Sequence, residues 1–172
     1  MINSSAMQKG EVSIIFEFPY GSLEWGKNSA DWWSPDKHNT VIIEQSSNQV
    51  LFQRSLDATK YYVSIKWDGE AEIEQIKKHK YLLNIKSGDK FKFVTPFSQG
   101  TKIDYLLDVE ETFRLSKKHW TNFWESGGAI DLSESSNPQA KELERRIVLS
   151  RYLTAIQCAG SLPPSETGLT CN

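Results

Sequence analysis

The chain has 172 residues, which is enough for one domain with a hydrophobic core. Its net charge of −2 creates no general attraction to polyanions, so nucleic-acid binding is not predicted. No apolar run has the length of a membrane-spanning helix, and the first twelve residues lack the apolar segment of a signal peptide. The two cysteines, Cys158 and Cys171, form neither a disulfide framework nor a zinc site, and no metal or other cofactor is expected.

Alternating apolar and polar residues predict strands throughout the first 98 residues. In the first of these segments Val12, Ile14 and Phe16 share one face. The predicted strands span residues 11–18, 40–44, 50–56, 61–67, 71–76, 81–85 and 91–95. Seven short strands separated by turn residues favour an antiparallel meander or β-sandwich. Because a sheet needs cover on its apolar face, we expect a sandwich portion whose earlier strands are missing.

The apolar spacing changes after Pro96. It becomes helical over residues 104–125, and Gly127 with Gly128 is predicted to end that helix. A polar linker follows, and a second helix begins near Asn137. The fold class is therefore α+β, with predicted domains at 1–98 (β-sandwich portion), 99–136 (linker helix and loop) and 137–172 (start of a truncated α-helical domain).

The second helix has an unusual distribution of apolar residues. Asn137 is a candidate N-cap, and Pro138 suits the first helical position. The first half of the helix is amphipathic, but apolar residues surround the second half, from Ile147 to Ala159. A helix that is apolar on every side is typically buried on every side. Little of the chain remains to bury it, so we expect a missing domain or a partner to cover Ile147–Ile156.

The end of the chain carries a longer pattern. A helix ends in YL-x-A, a G-S-L-P-P turn follows, and E-T-G-L-x-x-N completes the run over residues 145–172. This pattern resembles the start of the catalytic barrel in six-hairpin glycosidases, which are (α/α)6-barrel enzymes. The segment HWTNFWESGGAIDL (119–132) resembles the linker that those enzymes place between an N-terminal β-sandwich and the barrel. The resemblance implies that the second helix is the first helix of an incomplete (α/α)6 barrel.

The resemblance also implies a fragment of a glycoside hydrolase that acts on oligosaccharides or glycosides. Inverting hydrolysis needs a general acid and a general base on either side of the glycosidic bond. In the family both carboxylates lie on barrel loops beyond the E-T-G-L turn. The chain alone is therefore expected to be catalytically inactive, and it contains no predicted catalytic residue.

Two segments are candidates for contacting the sugar. In the terminal turn, Glu166, Thr167 and Asn172 offer hydrogen-bond donors and acceptors for hydroxyl groups. In resembling proteins this turn opens near the active-site pocket. An alternative is that Glu166 only braces the start of the barrel.

The second candidate is the aromatic loop at residues 21–39. Trp32 and Trp33 offer flat faces for stacking on sugar rings, and His38 can bond a hydroxyl. Asp36-Lys37-His38 resembles a D-x-H-like element on a sandwich loop of similar glycosidases. Alternatively, both Trp side chains pack against the sandwich edge, and His38 is a surface residue with its hydrogen bonds satisfied.

Two other functions remain open from the sequence. One is a stand-alone β-sandwich module that binds carbohydrate, or another partner, without catalysis. The other is a structural protein whose last helix completes the helical bundle of a partner. The aromatic loop favours the first of these two, and the apolar last helix favours the second.

Overall fold

A computed structural model describes residues 1–21, 30–99, 107–127 and 129–160. The chain divides into two compact units, Met1–Arg114 and Leu115–Asn172. We call the first the strand-rich unit. The predicted domain boundaries at residues 98 and 136 stay predictions.

Antiparallel strands dominate the strand-rich unit. They are β1 (Ile2–Asn3), β2 (Ser13–Glu17), β3 (His38–Gln45), β4 (Gln49–Leu56), β5 (Thr59–Asp68), β6 (Ala71–Lys77), β7 (Lys80–Ile85), β8 (Lys90–Val94) and β9 (Phe97–Gln99). One sheet has the order β1-β8-β5-β4-β3, with β9 also paired to β5, and the other has the order β2-β7-β6. The mixed α and β content and the antiparallel pairing confirm the coarse fold prediction. Strands β1 and β9 were not predicted, because two or three residues are too few to show an alternation.

The two sheets contribute to one hydrophobic core. Val50 and Phe52 of β4 and Val63 of β5 are fully buried, as is Leu83 of β7 in the other sheet. Their alternation along each strand places every second side chain in the core. The Phe52 ring lies between two other aromatic rings. Its centroid is 5.6 Å from that of Phe18 and 4.6 Å from that of Tyr81.

The turn between β5 and β6 requires a glycine. Gly69 has a φ of 112°, a region that L side chains rarely adopt. A Cβ atom at this position would also lie 3.3 Å from the Phe91 ring. Backbone conformation and packing therefore both explain the Asp68-Gly69 pair that predicted a turn here.

Helix α1 spans Val109–Glu125. It ends where the sequence predicted, but it begins later than residue 104, since residues 107 and 108 are not helical. The reason is a cap: the Oδ1 atom of Asp108 accepts a hydrogen bond from the backbone N–H of Glu111 at 2.7 Å. The positions at 104–106 lie outside the described residues.

Helix α2 spans Ala140–Gln157, so it begins after the predicted cap. The side chain of Asn137 accepts a hydrogen bond from the N–H of Gln139 at 2.9 Å and stabilises the preceding turn. Among the described residues of α2, Ala140 alone is buried. Neither helix is both long and apolar enough to cross a membrane, as far as the chain is described.

The apolar half of α2 presents large side chains to solvent. These include Leu149, Tyr152 and Ile156. Leu149 and Tyr152, together with Trp124 and Val148, line part of a cavity of about 870 Å³. The helix therefore carries apolar surface that the described residues leave uncovered.

Candidate functional site

The structure places three of the sequence-predicted site residues close together along the chain before and at the start of β3. Trp33 is 89% exposed and Trp32 is 47% exposed, whereas His38, the first residue of β3, is only 7% exposed. The other three candidates, Glu166, Thr167 and Asn172, lie outside the described residues. We call residues 30–37 the Trp loop.

Backbone and side-chain hydrogen bonds hold the first part of the Trp loop. Tyr20 and Asp31 exchange two backbone bonds of 3.0 and 2.8 Å, which join the loop to the segment after β2. The Oδ1 atom of Asp31 accepts a bond from the N–H of Trp33 at 2.8 Å. Bonds from the Ser34 side chain and the Trp33 backbone lower the pKa of Asp31. Asp31 therefore stays a carboxylate and fixes the backbone beneath Trp33.

A short 3-10 turn, Pro35–Lys37, forms the second part of the loop. Asp36 in this turn forms an ion pair of 2.6 Å with Lys78, in the turn between β6 and β7. Hydrogen bonding from Lys78 lowers the pKa of Asp36. Both side chains are largely exposed, so this pair contributes little to stability.

A fully buried arginine lies beside the loop. Arg54 of β4 is 0% exposed, and the hydrogen-bond acceptors described around it are neutral groups. They are the Tyr61 hydroxyl (3.2 Å), His38 Nδ1 (2.7 Å), the Asn39 carbonyl (3.1 Å), the Thr40 hydroxyl (2.7 Å) and the Pro19 carbonyl (2.9 Å). Its guanidinium carbon also lies 5.1 Å from the centre of the Phe18 ring. Arg54 therefore joins the segment after β2 and strands β3, β4 and β5 at one point.

The hydrogen-bond partners determine the tautomers of two histidines: Arg54 fixes that of His38, and the Pro35 carbonyl fixes that of His79. A guanidinium only donates hydrogen bonds, so His38 Nδ1 is an acceptor and the ring proton of neutral His38 lies on Nε2. The Thr40 hydroxyl accepts from Arg54 and donates to His79 Nδ1 at 2.8 Å. His79 Nε2 then donates to the Pro35 carbonyl at 2.7 Å. A continuous chain of hydrogen bonds thus runs from Arg54 to the Trp loop.

Both imidazoles are held in the neutral form. Their rings stack with centroids 3.8 Å apart. Burial, followed by the charge of Arg54, lowers the pKa of His38 to about 4. Burial also lowers the pKa of His79, although its bond to Pro35 opposes the shift. The pair is therefore an uncharged support at neutral pH.

Comparisons of the chain with protein-family models, curated proteins and solved structures find no match. The function is therefore inferred from the chemistry of the site. Among the described residues, no group of three or more His, Cys, Asp or Glu side chains could hold a metal ion. What the site offers is an exposed aromatic surface on a loop held by carboxylate and imidazole hydrogen bonds.

Sequence reasoning missed Arg54 and His79. Arg54 could have been found in the sequence, because Val50, Phe52 and Arg54 occupy alternate positions of one strand. This spacing places a charged residue on the buried face of β4. His79 left none, since it belongs to a run of lysines that is typical of a solvated turn. Its backbone has a φ of 61°, which is uncommon outside glycine.

A polar cleft lies near the opposite ends of β3 and β4. Its volume is about 520 Å³, and it lies beside Trp67. The two carboxylates that line it already have partners: Glu72 pairs with Lys86 at 2.8 Å, and Glu74 accepts from Asn84 at 3.2 Å. Trp32, Trp33 and His38 do not line this cleft.

Proposed function

We propose that the Trp loop binds carbohydrate. The observation that carries this proposal is the Trp33 indole, which is 89% exposed although the loop backbone beneath it is fixed. Sugar rings present flat C–H faces that pack well on such an apolar surface. The proposal applies both to a glycoside hydrolase and to a non-catalytic binding module.

The polar groups around the indoles suit a neutral sugar. Asp31 and Asp36 are kept as carboxylates by their hydrogen bonds, and carboxylate oxygens accept hydrogen bonds from hydroxyl groups. Lys37 and Lys78 balance these two charges, so the loop has no excess positive charge to attract phosphates or other anions. Neutral mono- or oligosaccharides are therefore the favoured ligand class. Direct contact between His38 and the sugar stays a prediction, and the residue has little exposed surface for it.

Loop rigidity contributes to the expected affinity. The Tyr20–Asp31 backbone bonds and the His79–Pro35 bond hold both ends of the segment that carries the indoles. A preorganised surface loses less conformational entropy on binding. Modest stacking energy can then appear as measurable affinity.

Replacing Trp33 with alanine is expected to weaken sugar binding about ten-fold or more, which is roughly 1.4 kcal/mol, because the main stacking face is lost. Binding should be measured by isothermal calorimetry at neutral pH with maltose, trehalose and L-fucose as probes. Phe113→Ala is the matched control, since Phe113 is also an exposed aromatic residue. Equal affinity of the Trp33→Ala variant and the native chain would contradict the proposal. So would a failure of all three probes to bind the native chain.

The larger proposal is that the chain is part of a six-hairpin glycosidase. In this proposal the two sheets are the later part of the N-terminal β-sandwich, and α2 is the first helix of the (α/α)6 barrel. Support comes from the 145–172 pattern and from the exposed apolar residues Leu149, Tyr152 and Ile156. The rest of the barrel, or a partner, would cover that helix face.

On this proposal the acid and base of an inverting mechanism lie beyond the chain, and Glu166, Thr167 and Asn172 approach the substrate from the barrel side. The alternative is a stand-alone carbohydrate-binding or interaction module. Both proposals include sugar binding, and in the binding module this property depends on Trp32 and Trp33 alone. Turnover of a glycoside then distinguishes the two proposals.

An immunoblot of the native cells tests the hydrolase proposal. An antibody against the peptide Lys27–Lys37 is expected to detect a band well above 19.7 kDa, because the barrel needs many more residues. The longer protein should then hydrolyse or phosphorolyse a glycoside. A band near 19.7 kDa would exclude the hydrolase proposal for this product and leave the binding module.

A further inference from the structure

We propose that His38 is a proton-sensitive latch, which holds the Trp loop in its binding position at neutral pH and releases it in acid. The inference deepens the carbohydrate-binding proposal, on which its biological role rests. It arises from the position of His38 between a buried cation and the end of the loop.

His38 connects the loop to the sheet. It directly follows the Pro35–Lys37 turn and begins β3. Its ring stacks on that of His79, whose Nε2 atom holds the Pro35 carbonyl at 2.7 Å. Movement of the His38 ring would therefore remove the stacking partner of the residue that fastens the loop.

Protonation is incompatible with this arrangement. Neutral His38 has one nitrogen that can accept a proton, Nδ1, and that atom lies 2.7 Å from Arg54 Nη1 as a hydrogen-bond acceptor. A proton on Nδ1 would place two N–H groups against each other and two positive charges in contact. A charged ring therefore favours leaving this position, because Arg54 is fully buried and held by four other acceptors.

The charged and titratable groups around the pair come from each neighbouring element. They are Asp31, Asp36 and Lys37 in the loop, Tyr20 after β2, Arg54 on β4, Tyr61 on β5, Lys78 before His79, and Tyr81 on β7. Asp31 favours the protonated form of His38, but burial and the charges of Arg54 and Lys78 outweigh it. The balance favours neutral His38 while the loop is closed.

The pH window follows from the two states of His38. In the closed loop its pKa is about 4, and a released, solvated histidine has the ordinary value of 6.5. The released state therefore takes up the proton first as the pH falls. Closure is fully favoured above pH 6.5 and is lost progressively between pH 6.5 and about 4. Over that interval the ratio of closed to released loops falls by up to about 300-fold.

The test is fluorine NMR of the whole chain labelled with 5-fluorotryptophan, titrated from about pH 7.5 to about pH 4. The Trp33 signal is assigned by its loss in Trp33→Phe. We expect this signal to change with a midpoint between pH 6.5 and about 4. The signal of Trp67, a buried core residue, should stay constant over the same interval, which separates loop release from global unfolding.

Two histidine variants provide the comparison. His38→Asn keeps an acceptor near Arg54 but cannot titrate, so the pH response of Trp33 should disappear. His119→Asn, at an exposed position on α1, should keep the native response. A Trp33 signal that does not depend on pH in the native chain would overturn the latch. The same response in His38→Asn as in the native chain would also overturn it.

A second measurement covers the case in which His38→Asn fails to fold. The ring signals of His38 in the native chain should titrate with the same midpoint as Trp33, and different midpoints would overturn the latch.

Sugar binding separates this proposal from the functional one. If no probe binds at about pH 7.5, the carbohydrate function fails and the NMR titration still decides the latch. If binding is equal at about pH 7.5 and about pH 5 and Trp33 is unaffected, the latch fails and the function stands.

Discussion

Replacing Arg54 with methionine is expected to lower the free energy of unfolding of the strand-rich unit by about 3–5 kcal/mol. Methionine retains an apolar stem of similar length but donates no hydrogen bond. The His38 ring nitrogen and the carbonyls of Pro19 and Asn39 then lose a donor. Each unsatisfied buried acceptor costs roughly 1–3 kcal/mol. Removing a buried charge recovers part of its desolvation cost, so the net loss is smaller than the sum.

Urea unfolding followed by near-ultraviolet circular dichroism measures this loss. Arg114→Met is the matched control: Arg114 is a largely exposed arginine in the same unit, and it forms an ion pair with Glu111 at i,i+3 spacing. The control should change stability by less than about 0.5 kcal/mol. A loss below about 1 kcal/mol in Arg54→Met would show that water or a rearrangement satisfies the acceptors. In that case Arg54 would not be the organising residue of the site.

Phe52→Ala is expected to destabilise the same unit by about 3–5 kcal/mol. The Phe52 ring is fully buried between Phe18 and Tyr81, so the substitution leaves a cavity that neighbouring strands can only partly close. The effect should extend to the site, because the face of the Phe18 ring contacts the Arg54 guanidinium. In this variant we therefore expect the fluorine NMR signal of Trp33 to change less over the pH titration than it does in the native chain.

The control for Phe52→Ala is Phe97→Ala. Phe97 lies on β9 in the same sheet and is 65% exposed, so its truncation should cost less than about 1 kcal/mol. Urea midpoints of the two variants give the comparison. Similar losses of unfolding free energy in both variants would contradict a core centred on Phe52. They would indicate that the edge strand β9 contributes as much to the stability of the unit as the core does.

Some pairings could be read from the sequence, and others could not. The β3–β4 hairpin follows from two alternating segments joined by Ser46-Ser47-Asn48, and β6–β7 follows from its short charged turn. The pairing of β2 with β7 has no such local signal, because more than sixty residues separate the strands. Which distant edges meet depends on how the apolar faces pack in the core.

The candidate site shows the same division. The composition of the aromatic loop was enough to single out Trp32, Trp33 and His38. Their different surroundings, two exposed indoles and one buried imidazole, depend on Arg54 and on the turn that carries His79. The predicted contacts of Glu166, Thr167 and Asn172 stay predictions.

Local sequence patterns were enough to predict the strand-forming segments, the ends of α1 and α2 to within a few residues, and the loop richest in aromatic side chains. These properties are local, since periodicity and turn chemistry act over a few residues. Only the folded chain stacks His38 on His79, buries both rings and places the charge of Arg54 beside them, and the last two of these features lower both pKa values. Sheet pairing brings these residues into contact although they are far apart in the chain, and hydrogen bonds between such residues arise only when the whole strand order is in place.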